Sequence, residues 1–340
     1  MIKKFGKPVD IMRFKKSMVN HGKLTEIIES NARFGKIVAS SPESEFVLKC
    51  PICGCENSKQ GPVVYEIGYK ICVYCGMYYA SPRLSRGKLE KYYEKNSGYS
   101  KTSYADKETY KYRAKEVSLP KIDFVSNLMT KSACRWLDVG SGIGDVVYNL
   151  RVRGVDARGL ELSEESIKFS KEVFEVDLEK KSIDDVLIEE GEGSYDVVSY
   201  FGVLEHMSDP LEQVERACRI ISPGGLLVLE VPSSESFSVL TDSFFKESVV
   251  RQMTPFQHIM LFSQKTLITL AEKFSLKAEA MWFIGLDLYN FLLHIGAMVP
   301  SFLESDVCSK ILGLNNEIQE VFDKKEMSDQ ILFVARKKEE

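Results

Sequence analysis

Trp136-Leu137-Asp138-Val139-Gly140-Ser141-Gly142-Ile143-Gly144-Asp145 decides the fold. It begins as an apolar strand, stops in a glycine-rich turn and opens a helix. Glycines at 140, 142 and 144 let the backbone turn tightly and approach a ligand that a side chain would hold off. Seventeen residues after Gly144, Leu160-Glu161-Leu162 closes a second strand with an acid. A carboxylate there can accept hydrogen bonds from both hydroxyls of a ribose, as in the nucleoside half of a doubly wound α/β fold. The dinucleotide spacing is G-x-G-x-x-G; this turn is spaced Gly140-x-Gly142-x-Gly144 and preceded by Asp138, whose charge repels a pyrophosphate and suits a cationic ligand. A strand–turn–helix with no ligand is the plainer alternative.

From residue 133 onward, strands and helices alternate, which predicts a mostly parallel sheet covered on both faces. The expected strands are Arg135 to Val139, Ala157 to Leu162, Phe174-Glu175-Val176, Tyr195 to Tyr200, Leu226 to Val231, Lys277 to Ile284 and Gln330 to Arg336. Ser163 reads as a helix N-cap with Glu164 and Glu165 in the first turn. Ser222-Pro223-Gly224-Gly225 reads as a turn. About forty residues separate the last two strands, where a hairpin would suffice. The apolar positions there suggest two helices, an insertion over about 287–328.

Upstream, Cys50-Pro51-Ile52-Cys53-Gly54 and Cys72-Val73-Tyr74-Cys75-Gly76 are two matched knuckles. Four thiolates close a tetrahedral shell around zinc and leave no position open for catalysis. Short strands between the knuckles complete the pattern of a zinc ribbon. A redox dithiol accounts poorly for two matched pairs. Cys55 is a bystander that could replace Cys53, and Cys134, Cys218 and Cys308 read as free thiols. Only Lys49, Lys59 and Lys70 lie in or directly beside the ribbon, which favours a scaffold over a nucleic-acid reader.

The 340 residues carry a formal net charge of -4, so no global attraction draws the chain to nucleic acid or an anionic membrane. Lys3, Lys4, Lys7, Arg13, Lys15, Lys16 and Lys23 make the start basic, but no signal-peptide core or membrane span follows. The expected compartment is the cytoplasm. The expected organisation is an arm (1–49), the ribbon (50–82), a helical linker (83–132) and the cofactor domain (133–340). The linker holds Tyr92, Tyr93, Tyr99, Tyr104, Tyr110 and Tyr112, as interface packing or as the lining of a cleft.

Asp138-x-Gly140-x-Gly142-x-Gly144 resembles the first motif of class I S-adenosylmethionine-dependent methyltransferases. Leu204-Glu205-His206-Met207-Ser208-Asp209-Pro210 and Pro223-Gly224-Gly225 look like later motifs of that family. Phe256-Gln257-His258-Ile259 with Phe262-Ser263 looks like a segment of its small-molecule branch. A ribbon joined to such a domain is similar to bacterial methyltransferases of sugar and polysaccharide biosynthesis. The fold implied is Rossmann-like and doubly wound, with seven mostly parallel strands. By position, the resemblance implies that Gly140, Ser141, Gly142 and Gly144 approach the methionine part of the cofactor and Asp138 holds its ammonium. It implies that Glu161 binds the ribose, and that Leu162, Ser182 and Ile183 meet the adenine. Phe201 and Gly202 would then lie under the sulfonium, whose charge an aromatic face attracts.

Of the four histidines, His21, His206, His258 and His294, the two near the carboxyl ends of strands suit a general base. His258 is preferred, then His206, with Glu205 as the alternative. The implied reaction is O- or C-methylation of a small molecule, a nucleotide-linked sugar or glycan precursor. The rival readings are an RNA methyltransferase and a non-catalytic cofactor-binding subunit. Oligomeric state is open.

Overall fold

The computed structural model describes residues 1–6, 21–95, 107–130 and 134–339. Lys7, Arg13, Lys15, Lys16, Tyr99 and Tyr104 lie outside the described residues. In chain order the strands are β1 (Ile2–Phe5), β2 (Ser44–Glu45), β3 (Ser58–Val64), β4 (Ile67–Cys72), β5 (Tyr78–Ala80), β6 (Arg83–Leu84), β7 (Arg135–Val139), β8 (Asp156–Leu160), β9 (Tyr195–Phe201), β10 (Ile221–Pro232), β11 (Met260–Leu261), β12 (Leu276–Ile284) and β13 (Gln330–Lys337).

Seven strands form the main sheet in the order β1-β12-β13-β10-β9-β7-β8. Only β13 runs antiparallel to its neighbours. Successive side chains on a strand point to opposite faces, and each face has its own core. Leu137, Val198, Leu227, Leu229, Met281 and Phe333 pack on one side. Trp136, Val197, Val228, Trp282, Leu332 and Val334 pack on the other. Burial on both faces is why these strands read as apolar runs rather than as alternating ones.

Three expectations need correction. Phe174-Glu175-Val176 is not a strand. Phe174 ends the helix Glu164–Phe174, and Glu175 takes the left-handed conformation that closes it. Among the described residues, a single parallel bridge, Leu160 to Glu179, is all that pairs beyond β8. The charged run Asp177, Glu179, Lys180, Lys181 offers too little apolar surface to hold a buried edge. The seventh strand comes instead from β1, paired parallel with β12 at the opposite edge. Second, Ser222-Pro223-Gly224-Gly225 lies inside the twelve-residue β10, as an irregularity between Ile221 and Leu226. Third, the insertion holds four helices, not two: Asp287–Met298, Pro300–Leu303, Asp306–Gly313 and Asn315–Lys324. The first three pack with Leu24 of the N-terminal helix His21–Ser40 in a third core. None of the helices among the described residues is long and apolar enough to cross a membrane.

The cysteine-bearing segment forms an antiparallel sheet, β11-β5-β4-β3. Its outer member β11 comes from the part of the chain that follows β10, and the parallel bridge Ser233 to Phe262 links the two sheets through main-chain pairing. Their cores are also continuous: Ile52, Ile67, Tyr69, Met77 and Tyr79 belong to the cluster that holds Leu137 and Leu229. The β3–β4 turn has Tyr65 and Glu66 at φ 48° and 67°. Two left-handed residues match a tight turn to strand twist. Tyr65 is secured by its hydroxyl, which donates to the Val249 carbonyl at 2.6 Å. Gly35 of the N-terminal helix sits against this turn, where a Cβ would lie 2.3 Å from the Tyr65 carbonyl oxygen.

Candidate active site

β7 delivers Asp138 and the glycine turn to the carboxyl edge of the sheet, where ligands bind in this class of fold. The Asp138 side chain is only 2% exposed. The Trp136 indole N–H donates to Ser199 Oγ (2.8 Å), and Ser199 Oγ donates to Asp138 Oδ1 (2.6 Å). Burial lifts the Asp138 carboxyl to about 7, so a nearby cation would draw it towards ionisation. Gly140, Gly142 and Gly144 have φ of 71°, 53° and 77°. A Cβ on Gly140 would meet Val203 Cγ2 at 2.7 Å, so this turn is closed to side chains by its own neighbours.

Glu161, just beyond β8, faces that turn. Its Oε2 accepts from the Gly142 N–H and its Oε1 from the Ser163 N–H, both at 2.8 Å. Burial raises its carboxyl pKa, while these two donors oppose the shift. Each oxygen keeps a further lone pair, the requirement for accepting from two ribose hydroxyls. Leu162 beside it is 42% exposed, an apolar surface of the kind an adenine covers. Asp138, the closed glycine turn and Glu161 therefore fit a ligand with a cationic end and a ribose. Ser182 caps the helix Ile183–Glu190 in a reciprocal pair with Asp185, and Ile183 is buried in the core.

Beyond β9 the chain turns at Phe201-Gly202 (φ 67° at Gly202) into a short helical turn, Leu204–His206. The fold brings His258, fifty-two residues on, against His206, with ring centroids 5.0 Å apart. His206 Nδ1 contacts the Gln257 carbonyl at 2.8 Å, and His258 Nδ1 contacts the Gln252 carbonyl at 2.9 Å. A carbonyl accepts only, so each Nδ1 carries the proton and each Nε2 is an acceptor. Burial lowers His206 to about 4 and His258 to about 3, leaving both rings neutral at pH 7. Glu205 is 2% exposed, and burial lifts it to about 8. His294 lies elsewhere, fully buried between Asp242 and Ser248.

Several residues at this edge carry no motif. Lys121 reaches from the helix Leu119–Ser126 to both oxygens of Glu230 on β10, at 2.6 and 2.7 Å. Arg113 and Ser118 hold Asp145, the first residue of the helix after the glycine turn. Arg113 sits in a polar stretch beside Tyr110 and Tyr112, and Lys121 in the apolar helix Leu119–Ser126; neither gives a local sign of such reach. Ser199 was the readable one: a lone hydroxyl in the apolar run of β9 needs a buried partner.

The four knuckle cysteines also converge. Their Sγ atoms lie within 4.8 Å of one another, with Cys50–Cys75 at 3.6 Å and Cys53–Cys72 at 3.5 Å. The knuckles repeat each other: the Gly54 and Gly76 N–H groups donate back to the Cys50 and Cys72 carbonyls, both at 3.0 Å. Cys55 stands aside, its Sγ facing the Asn57 carbonyl. Four convergent soft donors are the chemistry that a tetrahedral zinc or related ion takes.

A family profile described as "Methyltransferase domain" matches residues 80–280. The ubiquinone biosynthesis O-methyltransferase of Dechloromonas aromatica is 31% identical over 144 residues, 40% of this chain and 60% of that protein. Its namesake in Xanthomonas oryzae pv. oryzae is 30% identical over 114 residues, 32% of this chain and 47% of that protein. The chain thus spans about half the length of the curated relatives it matches. Among solved structures, an S-adenosylmethionine-dependent methyltransferase from Archaeoglobus fulgidus aligns at 17% identity and TM-score 0.45, over 68% of this chain and 95% of that one. The 1,6-didemethyltoxoflavin-N1-methyltransferase of Burkholderia thailandensis aligns at 11% identity and TM-score 0.44, over 83% and 100%. The profile covers more than half of the chain, including the glycine turn, Glu161, the paired histidines and the strands β7 to β10, so the chain belongs to the methyltransferase-domain family.

Proposed function

We infer that the protein transfers the methyl group of S-adenosylmethionine to an oxygen of a small hydroxylated molecule. The observation that carries this is the placement of Glu205, His206 and His258 just beyond β9, on the same sheet edge as the glycine turn and Glu161. The cofactor supplies an electrophilic methyl on a sulfonium. The chain's task is to orient it, exclude water and receive the acceptor's proton. Gly140, Ser141, Gly142 and Gly144 admit the methionine part, and Asp138 balances its ammonium. Glu161 takes the ribose and Leu162 the adenine face, with Ser182 and Ile183 at its edge. Phe201 and Gly202 face the sulfonium. His258 Nε2 receives the proton, with His206 beside it and Glu205 beneath.

The four cysteines serve as a structural zinc site in a ribbon over about residues 50–82. The chain is then an arm (1–49), the ribbon, a linker (83–132) and a catalytic domain (133–340) with the insertion at 287–328. A cytoplasmic location fits the two C-x-x-C pairs, which a reducing compartment keeps as thiols able to hold a metal. The relatives named for O-methylation favour oxygen as acceptor atom. The narrower assignment to a nucleotide-linked sugar or glycan precursor, with C-methylation as its variant, rests on the order ribbon then methyltransferase domain.

Transfer of labelled methyl into three pools tests this: nucleotide sugars, small phenolic and lipid-soluble acceptors, and total RNA. Label in either small-molecule pool is expected, and which one settles the acceptor class. Label confined to RNA would overturn the small-molecule reading.

A further inference from the structure

The side chains of Glu205, His206 and His258 offer three donor atoms that all lie within 4.8 Å of one another. His206 Nε2 is 3.7 Å from Glu205 Oε1. A first-row divalent cation bonds such donors at about 2.0–2.2 Å. Donors around it sit roughly 3.4 Å apart in a tetrahedral shell of that radius, so small side-chain movements close the set. Two further observations point to a ligand. Glu205 Oε2 is buried and has no hydrogen-bond partner, although the residue is 98% shielded from solvent (2% exposed). A carboxylate oxygen in that position loses hydration without compensation unless something binds it. Each imidazole also donates its Nδ1–H to a backbone carbonyl, of Gln257 and Gln252. That outer bond is what metal-ligating histidines almost always make, because it fixes the tautomer and aims Nε2 at the ion.

We propose that Glu205, His206 and His258 form a second metal site, distinct from the four cysteines, that takes a first-row divalent cation. Two nitrogens and one carboxylate oxygen select ions of the zinc, iron, cobalt and manganese group, and three protein ligands leave positions open. The site's use in catalysis rests on the methyl-transfer reading; cation binding does not. With the ion in place, an acceptor hydroxyl occupying an open position is acidified. Its proton leaves to solvent, its oxygen forms the bond to the methyl carbon, and the carbon–sulfur bond breaks with its electron pair going to sulfur. The ion then takes over the proton-releasing role that His258 has in the metal-free chain, because an Nε2 lone pair bonded to the cation cannot also accept a proton.

The test uses the full chain with zinc already held by its cysteines, titrated with Co2+ and followed by visible absorption and proton NMR. The wild type is expected to take up about one Co2+ per chain without thiolate-to-cobalt charge transfer. Two hyperfine-shifted exchangeable signals should appear, one from each Nδ1–H. Glu205→Gln and His258→Gln should each weaken uptake by more than the roughly 10–100-fold typical of outer-shell changes, with cysteine-bound zinc retained. No uptake beyond the cysteine site, or uptake without the two imidazole signals, would overturn the proposal. The wild-type NMR result stands even where a variant fails to fold. S-adenosylmethionine binding, measured separately on the same sample, distinguishes failure of this site from failure of the methyl-transfer reading.

Discussion

Asp138 sets a pH dependence. Burial raises its carboxyl from the ordinary 3.8 to about 7, so below that pH the ligand-free site holds it protonated. A cationic cofactor favours the carboxylate. Binding should therefore release a proton, and affinity should rise between about pH 6 and pH 8. Calorimetry in two buffers of different ionisation enthalpy checks this; an affinity flat across that range would separate Asp138 from the cofactor. The same shift weakens folding as pH rises from about 4 to about 7, because the folded chain then binds more protons than the unfolded one. At Gly140, φ of 71° and the nearby Val203 act together. The left-handed conformation alone costs a residue with a Cβ about 1–2 kcal/mol. Gly140→Ala should then lower the melting temperature by several degrees, and an unchanged melting curve would contradict the packing described. That Asp138, the glycines and Glu161 meet at one sheet edge was legible in the sequence, because the strand–turn–helix pattern fixes their spacing. Ser182 carries two readings, since a serine before an acidic helix start is also a cap, and the structure has it capping the helix Ile183–Glu190.

At the scale of elements, the helix Leu119–Ser126 is tied to β10 by the buried Lys121–Glu230 pair, both residues under 10% exposed. Breaking a buried pair strands a charge and costs about 3–5 kcal/mol, whereas replacing both partners can be nearly neutral. Lys121→Met should therefore destabilise strongly, and the double change Lys121→Met with Glu230→Leu should recover much of the loss. Denaturant unfolding of the singles and the double measures the coupling, and simple additivity would mean the pair is not a unit. The cysteine knuckles make a second case. Cys72→Ser should release the thiolate-bound metal and lower the melting temperature, as chelation should; a variant of wild-type stability with no metal would reduce the knuckles to packing. The strand missed at the N-terminus and the strand wrongly placed at Phe174 share a cause. Ile2-Lys3-Lys4-Phe5 is short and exposed, with no burial pattern to reveal it. Phe174 and Val176 are buried because they pack beneath a helix end and the turn after it, not because they pair.

Across the whole molecule, the cysteine sheet is built into the catalytic domain through β11 and a shared core. It does not hang from a linker. The alternation of strand and helix announced the sheet, since buried parallel strands are apolar throughout. The meeting of His206 with His258 was legible only as two candidates, because their contact spans fifty-two residues and depends on a loop path that no local pattern encodes. The insertion's apolar helices were visible, but their packing on the N-terminal helix is non-local and so was not. Calorimetric titration of the folded protein measures whether the glycine turn and Glu161 hold S-adenosylmethionine. Binding of about one cofactor per chain is expected. Glu161→Ala should lose at least about tenfold in affinity, since it removes charge-assisted hydrogen bonds worth about 1.5–3 kcal/mol each. No binding by the folded wild type, or equal affinity in Glu161→Ala, would contradict this assignment.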